Sequence, residues 1–224
     1  MHRRNLMLGG LATALAGGAN AAETPVVLEL FTSQGCSSCP PADALLGELA
    51  RLPNVIALAW HVDYWNSLGW RDPYASRQWT ERQQAYAVHL RDEVYTPALV
   101  VNGASMVVGS DRAAGRAAMR HAPALPVPVS LRRRGDSLEA EIAPDSQILT
   151  RLLVIYDREH ATDVASGENS GRRLQEYRIV RGLRSVEGTG NLLALPGIAS
   201  TQGAVLLLQG SDWRMRGAAD LPPM

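Results

Sequence analysis

The chain has 224 residues, 46% of them hydrophobic, and its 22 basic residues balance 22 acidic ones. This length suits one or two domains with a sizeable core, and the even charge balance argues against binding to nucleic acid or to an anionic membrane surface. Every basic residue is arginine, which excludes a lysine acting as Schiff base or general base.

The first 22 residues have the pattern of an export signal. Arg3 and Arg4 supply the charge, residues 6–16 are apolar or small, and the small residues at 19–21 form a cleavage site. The arginine pair fits a twin-arginine signal and an ordinary secretory signal equally well. The apolar run is too short to span a membrane. We therefore expect a periplasmic or secreted protein with no transmembrane segment after signal cleavage.

The first elements of the mature chain form a βαβ unit. Residues 26–31 are almost continuously apolar, which is typical of a buried strand. A helix follows from about Pro40, opened by two prolines that the first helical turn tolerates, and ends near Leu52. A second strand covers residues 55–64, and the handedness of such crossovers makes the two strands parallel.

An inserted segment, residues 65–94, comes next. We expect a loop followed by a helix over residues 77–90, capped by Ser76 or Asp72. Four of the five tryptophans lie in or next to the start of this segment, which indicates either a local hydrophobic cluster or an apolar wall beside the cysteines that holds a substrate. These four are Trp60, Trp65, Trp70 and Trp79.

A hairpin and a helix follow the inserted segment. The strand enters through Thr96-Pro97 and ends in an Asn-Gly pair, which is typical of a tight hairpin turn. The returning strand covers residues 104–109. A helix over residues 112–121 then begins after a cap at Ser110 or Asp111.

The composition changes at residues 123–128, which form a proline-rich linker. Beyond it, short strands and turns predict a small antiparallel, sandwich-like sheet. We therefore expect an export signal in residues 1–22, an α/β domain in 23–122, and a β-rich domain in 129–224. The expected strands are residues 129–133, 137–143, 151–157, 174–180 and 204–209, with turns at 166–171 and 188–191.

The two cysteines of the chain, Cys36 and Cys39, lie three positions apart where the first strand gives way to the first helix. A thiol in a first helical turn is close to the positive end of the helix dipole and to unpaired N–H groups, and both favour the thiolate. A disulfide between them closes so small a ring that it stabilises the fold little. The spacing therefore indicates a redox pair, with Cys36 at the exposed end and Cys39 one turn deeper.

This order of elements, with Cys-x-x-Cys before the helix and Thr-Pro before the later strand, resembles the thioredoxin fold over roughly residues 26–121. The resemblance implies that Cys36 is the nucleophile, that Cys39 resolves the mixed disulfide, and that Pro97 is cis and faces the cysteines. A peptide would then pair with the backbone of Thr96 as an added strand, with Trp65 beside it. The expected fold class is α/β, a thioredoxin-like domain with an inserted helical segment followed by the β-rich domain.

The motif departs from the thioredoxin pattern, because two serines separate the cysteines and neither a histidine nor a proline does. The redox direction (oxidase, reductase or isomerase) therefore stays open. More narrowly, residues 30–43, 61–65 and 95–97 are similar to a bacterial family of secreted, thioredoxin-like proteins of unknown function. The run at residues 167–171 also resembles that family, although its Glu168-Asn169 pair alone indicates only a turn.

Glu29 and His61 each allow two interpretations. Glu29 lies on the first buried strand, where a carboxylate is costly unless it is paired or protonated. Either it takes the proton from Cys39, as a buried acid does in thioredoxin, or it pairs with an arginine. His61, near Asp63 at a strand end, is either a hydrogen-bonded core residue or, with the two thiolates, a copper or zinc ligand. No further metal-ligand spacing accompanies it, so we expect neither a metal nor a cofactor.

The leading hypothesis is an exported thiol–disulfide oxidoreductase that acts on protein or peptide thiols and disulfides. A membrane or periplasmic redox partner would exchange electrons with it, and we expect no nucleic acid as a partner. Two alternatives remain: a non-catalytic binding or scaffold protein with an inert disulfide, and a copper- or zinc-handling protein that uses the cysteines and His61.

Overall fold

The computed structural model describes residues 24–188 and 190–224, so the predicted export signal lies outside the described residues. No helix in the described ranges is long and apolar enough to cross a membrane. The elements, in chain order, are β1 (Val26–Thr32), α1 (Pro40–Leu49), β2 (Val55–His61), a short 3-10 helix (Tyr64–Leu68), α2 (Arg77–Leu90), β3 (Ala98–Val101), β4 (Ser105–Val108), α3 (Arg112–Arg120), β5 (Val129–Arg134), β6 (Ser137–Ile142), β7 (Thr150–Asp163), β8 (Arg173–Ser185), β9 (Leu192–Leu195), β10 (Gln202–Gln209) and β11 (Met215–Leu221).

The fold is mixed α/β, with one large sheet and one small antiparallel sheet. The large sheet has eight strands in the order β11-β10-β7-β8-β2-β1-β3-β4, and the small one has the order β5-β6-β9. Strands β1 and β2 are parallel, as predicted from the βαβ pattern. Strands β3 and β4 are antiparallel, and β3 pairs antiparallel with β1.

The C-terminal part differs from the expected small, separate sheet. Strand β8 lies beside β2 in parallel, at the pair Ala59 and Ile179, and β7, β10 and β11 continue the same sheet. Residues 123–128 are also more firmly held than a linker, because Leu125 and Val127 are buried and Val127 N–H donates to the Arg216 carbonyl. The hydrogen-bonded sheet therefore runs across the predicted boundary.

The two faces of the large sheet bury different sets of side chains. Helix α2 packs over one face, where a single hydrophobic cluster draws on β1, β2, β7 and β10, including Phe31, Trp60, Tyr156 and Leu207. On the opposite face, α1 and α3 cover β1, β2 and β3, and the small sheet covers β7 and β10. Alternation of side chains along each strand assigns neighbouring residues to these two faces.

Local signals explain several of the boundaries. Helix α2 begins after Ser76, whose hydroxyl accepts a hydrogen bond from Gln78 N–H, and this agrees with one of the two predicted caps. The β3–β4 turn places Asn102 and Gly103 at positive φ, as the Asn-Gly pair predicts. Helix α1 packs against β8 so closely that a side chain at Gly47 would collide with the ring of Tyr177.

Asp111 caps helix α3, since its carboxylate accepts hydrogen bonds from Ala113 N–H and Ala114 N–H. We expect Asp111→Ala to lower the free energy of unfolding by about 1 kcal/mol, the usual cost of losing such a cap. Urea denaturation measures this change. The neighbouring Ser110→Ala is the control and should change stability by less than half as much; equal effects would contradict the assignment of the cap.

Candidate active site

The two cysteines form a disulfide at the start of α1. Cys36 and Cys39 are bonded to each other, with their Cα atoms 5.4 Å apart. Cys39 is the N-cap of α1, and Cys36 lies one turn earlier, where its carbonyl accepts a hydrogen bond from Cys39 N–H. The helix begins with Pro40 and Pro41, which carry no N–H. The dipole of α1 is therefore close to the sulfurs, but its first two residues offer no free donors.

The exposure of the sulfurs differs from the prediction. Cys36 and Cys39 are both 0% exposed, whereas the intervening Ser37 and Ser38 are exposed. The expectation that Cys36 lies at an open end of the turn is wrong for this oxidised state. Segments distant in sequence pack against the cysteine loop, and a local reading of the motif cannot reveal them.

The residues predicted to bind substrate lie beside this loop. Trp65 packs against Gly35 so closely that a Cβ atom added to Gly35 would lie 2.9 Å from the Cβ atom of Trp65. Its Nε1 donates a 2.9 Å hydrogen bond to Thr96 Oγ1, so Trp65 joins the loop to the Thr96-Pro97 segment. The Thr96-Pro97 peptide bond is cis. Pro97 is buried, and its carbonyl accepts a hydrogen bond from Gly109 N–H.

The tryptophans divide between two environments. Trp60 and Trp79 are buried together in the main core, with ring centroids 5.0 Å apart. Trp65 and Trp70 are half-buried near the cysteine loop, and Trp70 Nε1 donates to Gln34 Oε1 at 2.9 Å. The local hydrophobic cluster thus accounts for Trp60 and Trp79, and a role of the other two in holding a substrate stays a prediction.

The turn between β7 and β8 makes direct hydrogen bonds to the cysteine loop. The Asn169 side-chain amide donates to the carbonyls of Gln34 and Cys36, at 2.9 and 3.0 Å. Glu168 Oε2 accepts from Ser37 N–H at 3.0 Å. Hydrogen bonding to the Ser37 side chain, and then to its backbone N–H, holds the pKa of Glu168 below its ordinary value. Residues 166–171 do form the predicted turn, and in addition they reach the disulfide.

A buried polar cluster lies beside the disulfide. His61 Nδ1 and Asp72 Oδ2 are 2.7 Å apart, and Asp72 also accepts from Gln34 N–H. Gln34 Nε2 donates to Glu176 Oε2 at 2.7 Å. Glu176 Oε1 lies 3.9 Å from His61 Nε2, and within the described residues neither of these two atoms has a hydrogen-bond partner. Asp43, on α1 four residues after Cys39, is buried in the same region.

Burial and mutual charge shift the pKa values of this cluster. Burial raises the pKa of Asp43 to about 6, although the charge of His61 acts in the opposite direction. Burial likewise raises the pKa of Glu176 to about 7. For His61, burial alone lowers the pKa, but the charges of Asp72, Glu176 and Asp43 more than offset it and raise the pKa to about 9. The imidazole is therefore positively charged at neutral pH among three acidic groups.

Glu29 is not placed to accept a proton from Cys39. Its carboxylate pairs with Arg82, with Oε2 2.7 Å from Nε and Oε1 3.0 Å from Nη2, and Tyr86 donates to it as well. Strand alternation directs Glu29 to the α2 face of the sheet, whereas Leu28 and Leu30 face α1. The structure therefore agrees with the second interpretation of Glu29, a buried carboxylate paired with an arginine.

The arrangement around His61 gives no support to the copper or zinc alternative. Its Nδ1 faces Asp72, its Nε2 faces Glu176, and the two sulfurs are bonded to each other. Among residues 24–188 and 190–224, no group of three or more His, Cys, Asp or Glu side chains is arranged to hold a metal ion. The interpretation of His61 as a hydrogen-bonded core residue describes its contacts better.

Sequence reasoning gave no role at the cysteine loop to four residues that hydrogen bonds connect to it or to one another: Gln34, Asp43, Glu176 and Asn169. Gln34 precedes Cys36 by two positions, yet its fully buried amide is visible only in three dimensions. Asp43 offered a signal, since a carboxylate at an otherwise apolar position of α1 is unusual. Glu176 and Asn169 come from the C-terminal part, which carried no cysteine-related motif.

Comparison with known proteins addresses the family. The sequence profile of a family described as "Protein of unknown function (DUF1223)" matches residues 27–203. The chain belongs to this family. The sequence-based resemblance to a bacterial family of unknown function agrees with this assignment, and the match to DUF1223 spans most of the β-rich part as well.

A solved relative has the same overall architecture. The X-ray crystal structure of a protein from Agrobacterium tumefaciens, a structural genomics target, is 33% identical to this DUF1223 chain. The similarity covers 91% of this chain and 97% of that one, with a TM-score of 0.77. No curated protein matches the chain.

Proposed function

We propose that this protein is an exported thiol–disulfide oxidoreductase whose working group is the Cys36–Cys39 pair. The observation that carries the proposal is a disulfide at the N-terminus of α1 beside a buried cluster of ionisable residues. Buried ionisable groups with shifted pKa values occur preferentially at functional sites. A disulfide kept only for stability would need no such surroundings, and its small ring stabilises little.

The order of strands supports a thioredoxin-like assignment for the N-terminal part. Strands β2-β1-β3-β4 lie side by side, with β1 and β2 parallel and β3 and β4 antiparallel to β1 and β3 respectively. Helix α1 follows the cysteines, and the cis Thr96-Pro97 bond precedes β3. These features are the ones that the sequence resemblance implies for such a domain.

The reaction would proceed by two exchanges. The Cys36 thiolate attacks one sulfur of a substrate disulfide, and the other substrate sulfur leaves as a thiolate. The Cys39 thiolate then attacks the Cys36 sulfur, which re-forms the Cys36–Cys39 bond and releases the second substrate thiolate. Two electrons pass from the dithiol to the substrate, and the reverse sequence oxidises a substrate dithiol. Substrates would be protein or peptide thiols and disulfides, and a periplasmic or membrane partner would reset the pair.

Asp43 replaces Glu29 as the candidate proton acceptor. Residues four apart on a helix share a face, and Asp43 N–H donates to the Cys39 carbonyl at 3.1 Å. The raised pKa of Asp43, about 6, is suited to taking a proton from the Cys39 thiol near neutral pH. Asp43 would thereby favour the Cys39 thiolate during the second exchange.

A trapping experiment tests the proposal. The reduced Cys39→Ser variant is mixed with a short peptide that carries an activated mixed disulfide, and adducts are measured by mass spectrometry under native conditions. We expect a stable peptide adduct at Cys36 in this variant, no adduct in Cys36→Ser, and only a transient one in the native sequence, where Cys39 displaces the peptide. Titration of the native pair against glutathione buffers then gives its reduction potential and its direction.

The complete burial of Cys36 favours a second candidate, a non-catalytic scaffold with an inert disulfide. In that case the Cys39→Ser variant should give no adduct while folded and should react only in denaturant. This result would contradict the oxidoreductase proposal.

A further inference from the structure

The β7–β8 turn, residues 166–171, is held to the cysteine loop by side-chain hydrogen bonds. The strand ladder between β7 and β8 ends at the pair Asp163 and Arg173, so the turn itself projects beyond the sheet. Its bonds to the loop include two to the peptide group that joins Cys36 to Ser37. Glu168 accepts from Ser37 N–H, and Asn169 donates to the Cys36 carbonyl.

Asn169 is the central residue of these contacts. It is 0% exposed, although its neighbours Glu168 and Ser170 are exposed. Arg172 Nη1 donates to Asn169 Oδ1 at 2.7 Å. This bond fixes the orientation of the amide, so that its nitrogen faces the carbonyls of Gln34 and Cys36.

We propose that residues 166–171 form a displaceable cover that closes the Cys36–Cys39 disulfide to reductants and substrates, with Asn169 as its main attachment. This inference rests on the proposed function, because a displaceable cover is useful only if the disulfide takes part in exchange. Exchange requires a thiolate to reach a sulfur atom, and the buried Cys36 offers no such access while the turn is in place.

A bound substrate could replace part of the contacts of the cover. A peptide carbonyl can accept from Ser37 N–H in place of Glu168, whereas the carbonyls of Gln34 and Cys36 lose the amide donor of Asn169. The Cys36 carbonyl keeps its hydrogen bond from Cys39 N–H in either case. Gly167 and Gly171, both at positive φ, flank the contact residues, and glycine tolerates the backbone changes that such a displacement needs.

The opening would be local. Moving the turn breaks a few side-chain hydrogen bonds, including that of Ser166 to the Gly69 carbonyl, and leaves the β7–β8 ladder intact. Segments held by few contacts open far more readily than the core of a protein. Accessibility of the disulfide should therefore depend on the turn, and much less on global stability.

The rate of disulfide reduction by dithiothreitol tests the cover. Asn169→Asp keeps the side-chain size but replaces the amide donors with an oxygen that faces two carbonyls, so reduction should accelerate about tenfold or more. Glu168→Gln, at an exposed position, weakens only the bond to Ser37 and should accelerate reduction severalfold. Ser170→Ala is the matched control, because its hydroxyl donates to the carbonyl of Ala165, the residue just before the turn, and not to the cysteine loop in the part of the chain that the structure describes. It should leave the rate within twofold of that of the native sequence.

Hydrogen exchange adds a second readout. In the Asn169→Asp variant, amides of residues 34–38 and 166–171 should lose protection, while those of β10 in the core should keep it. Equal reduction rates in Asn169→Asp, Glu168→Gln and the native sequence would overturn the cover, even if Cys39→Ser traps substrate. Faster reduction in these two variants, without any trapped adduct in Cys39→Ser, would support the cover but contradict the proposed oxidoreductase function.

Discussion

Replacing Glu29 with glutamine is expected to lower the free energy of unfolding by about 3 to 5 kcal/mol, because it leaves the charge of Arg82 buried and uncompensated. Glu29 is 1% and Arg82 6% exposed. The guanidinium also lies over the rings of Trp60, Tyr86 and Trp213, but these contacts supply no full negative charge. Urea denaturation followed by tryptophan fluorescence measures the loss.

An exposed ion pair on α2, the helix that carries Arg82, provides the control. Glu81 pairs with Arg77, with side chains 58% and 84% exposed, and such pairs contribute little. Glu81→Gln should therefore cost less than about 0.5 kcal/mol. Glu29→Gln should also leave the rate of mixed-disulfide resolution unchanged once measured at a temperature where the variant is folded. A slower resolution step would show that Glu29 takes part in the reaction.

The free energy of unfolding is expected to fall as the pH rises from about 4 to about 9, because of the cluster beside the disulfide. The pKa of Asp43 is about 6 in the folded state and 3.8 in the unfolded chain, so the native state holds a proton that the unfolded chain has released between these values. The stabilisation that this retained proton provides is complete below about pH 4 and is lost as the pH rises through 6. For Asp43 alone the loss is about 3 kcal/mol.

Glu176 and His61 extend this decline to higher pH. The pKa of Glu176 rises from 4.5 to about 7, and that of His61 from 6.5 to about 9. In both cases the folded state retains its proton to higher pH, so stability is lost as the pH passes through the folded value. Asp72 acts in the opposite direction below about pH 4, since His61 holds its pKa below the ordinary value despite burial.

The variant Asp43→Asn isolates one part of this profile. It should flatten the decline between about pH 4 and 6 while leaving the decline at higher pH in place. Glu48→Gln, a substitution at an exposed position of the same helix, should leave the pH dependence of the free energy of unfolding as it is in the native sequence. Denaturation series across this pH range measure both. An unchanged slope in Asp43→Asn would mean that this carboxyl is not the one held protonated by burial.

Sequence patterns predicted the elements whose causes are local. Helix α2 follows from its cap at Ser76, and the β3–β4 hairpin from its Asn-Gly pair. Strand β11 was missed because its stretch of small residues, including Gly217 and Ala218, has little strand propensity. It becomes a strand by pairing with β10. The short β9 was missed for another reason: it has few residues, and they follow a stretch that is typical of a turn.

The site was predictable in its cysteines and not in its surroundings. The Cys-x-x-Cys spacing predicted a cysteine pair at the start of a helix, where the structure has the disulfide. The position of Pro97 facing the cysteines stays a prediction. Asn169 and Glu168 form hydrogen bonds with the backbone of the cysteine loop, and the partner of Glu29 is Arg82. These contacts join residues that are far apart in the chain, where periodicity and spacing carry no information.

The junction of β2 with β8 has a consequence for biosynthesis. During translation the N-terminal strands emerge long before β8, so the edge of β2 stays unpaired and its apolar neighbours unshielded for much of that time. Contacts so remote in the chain also slow folding. We therefore expect a chain truncated after α3, which lacks the partner of this edge, to be insoluble.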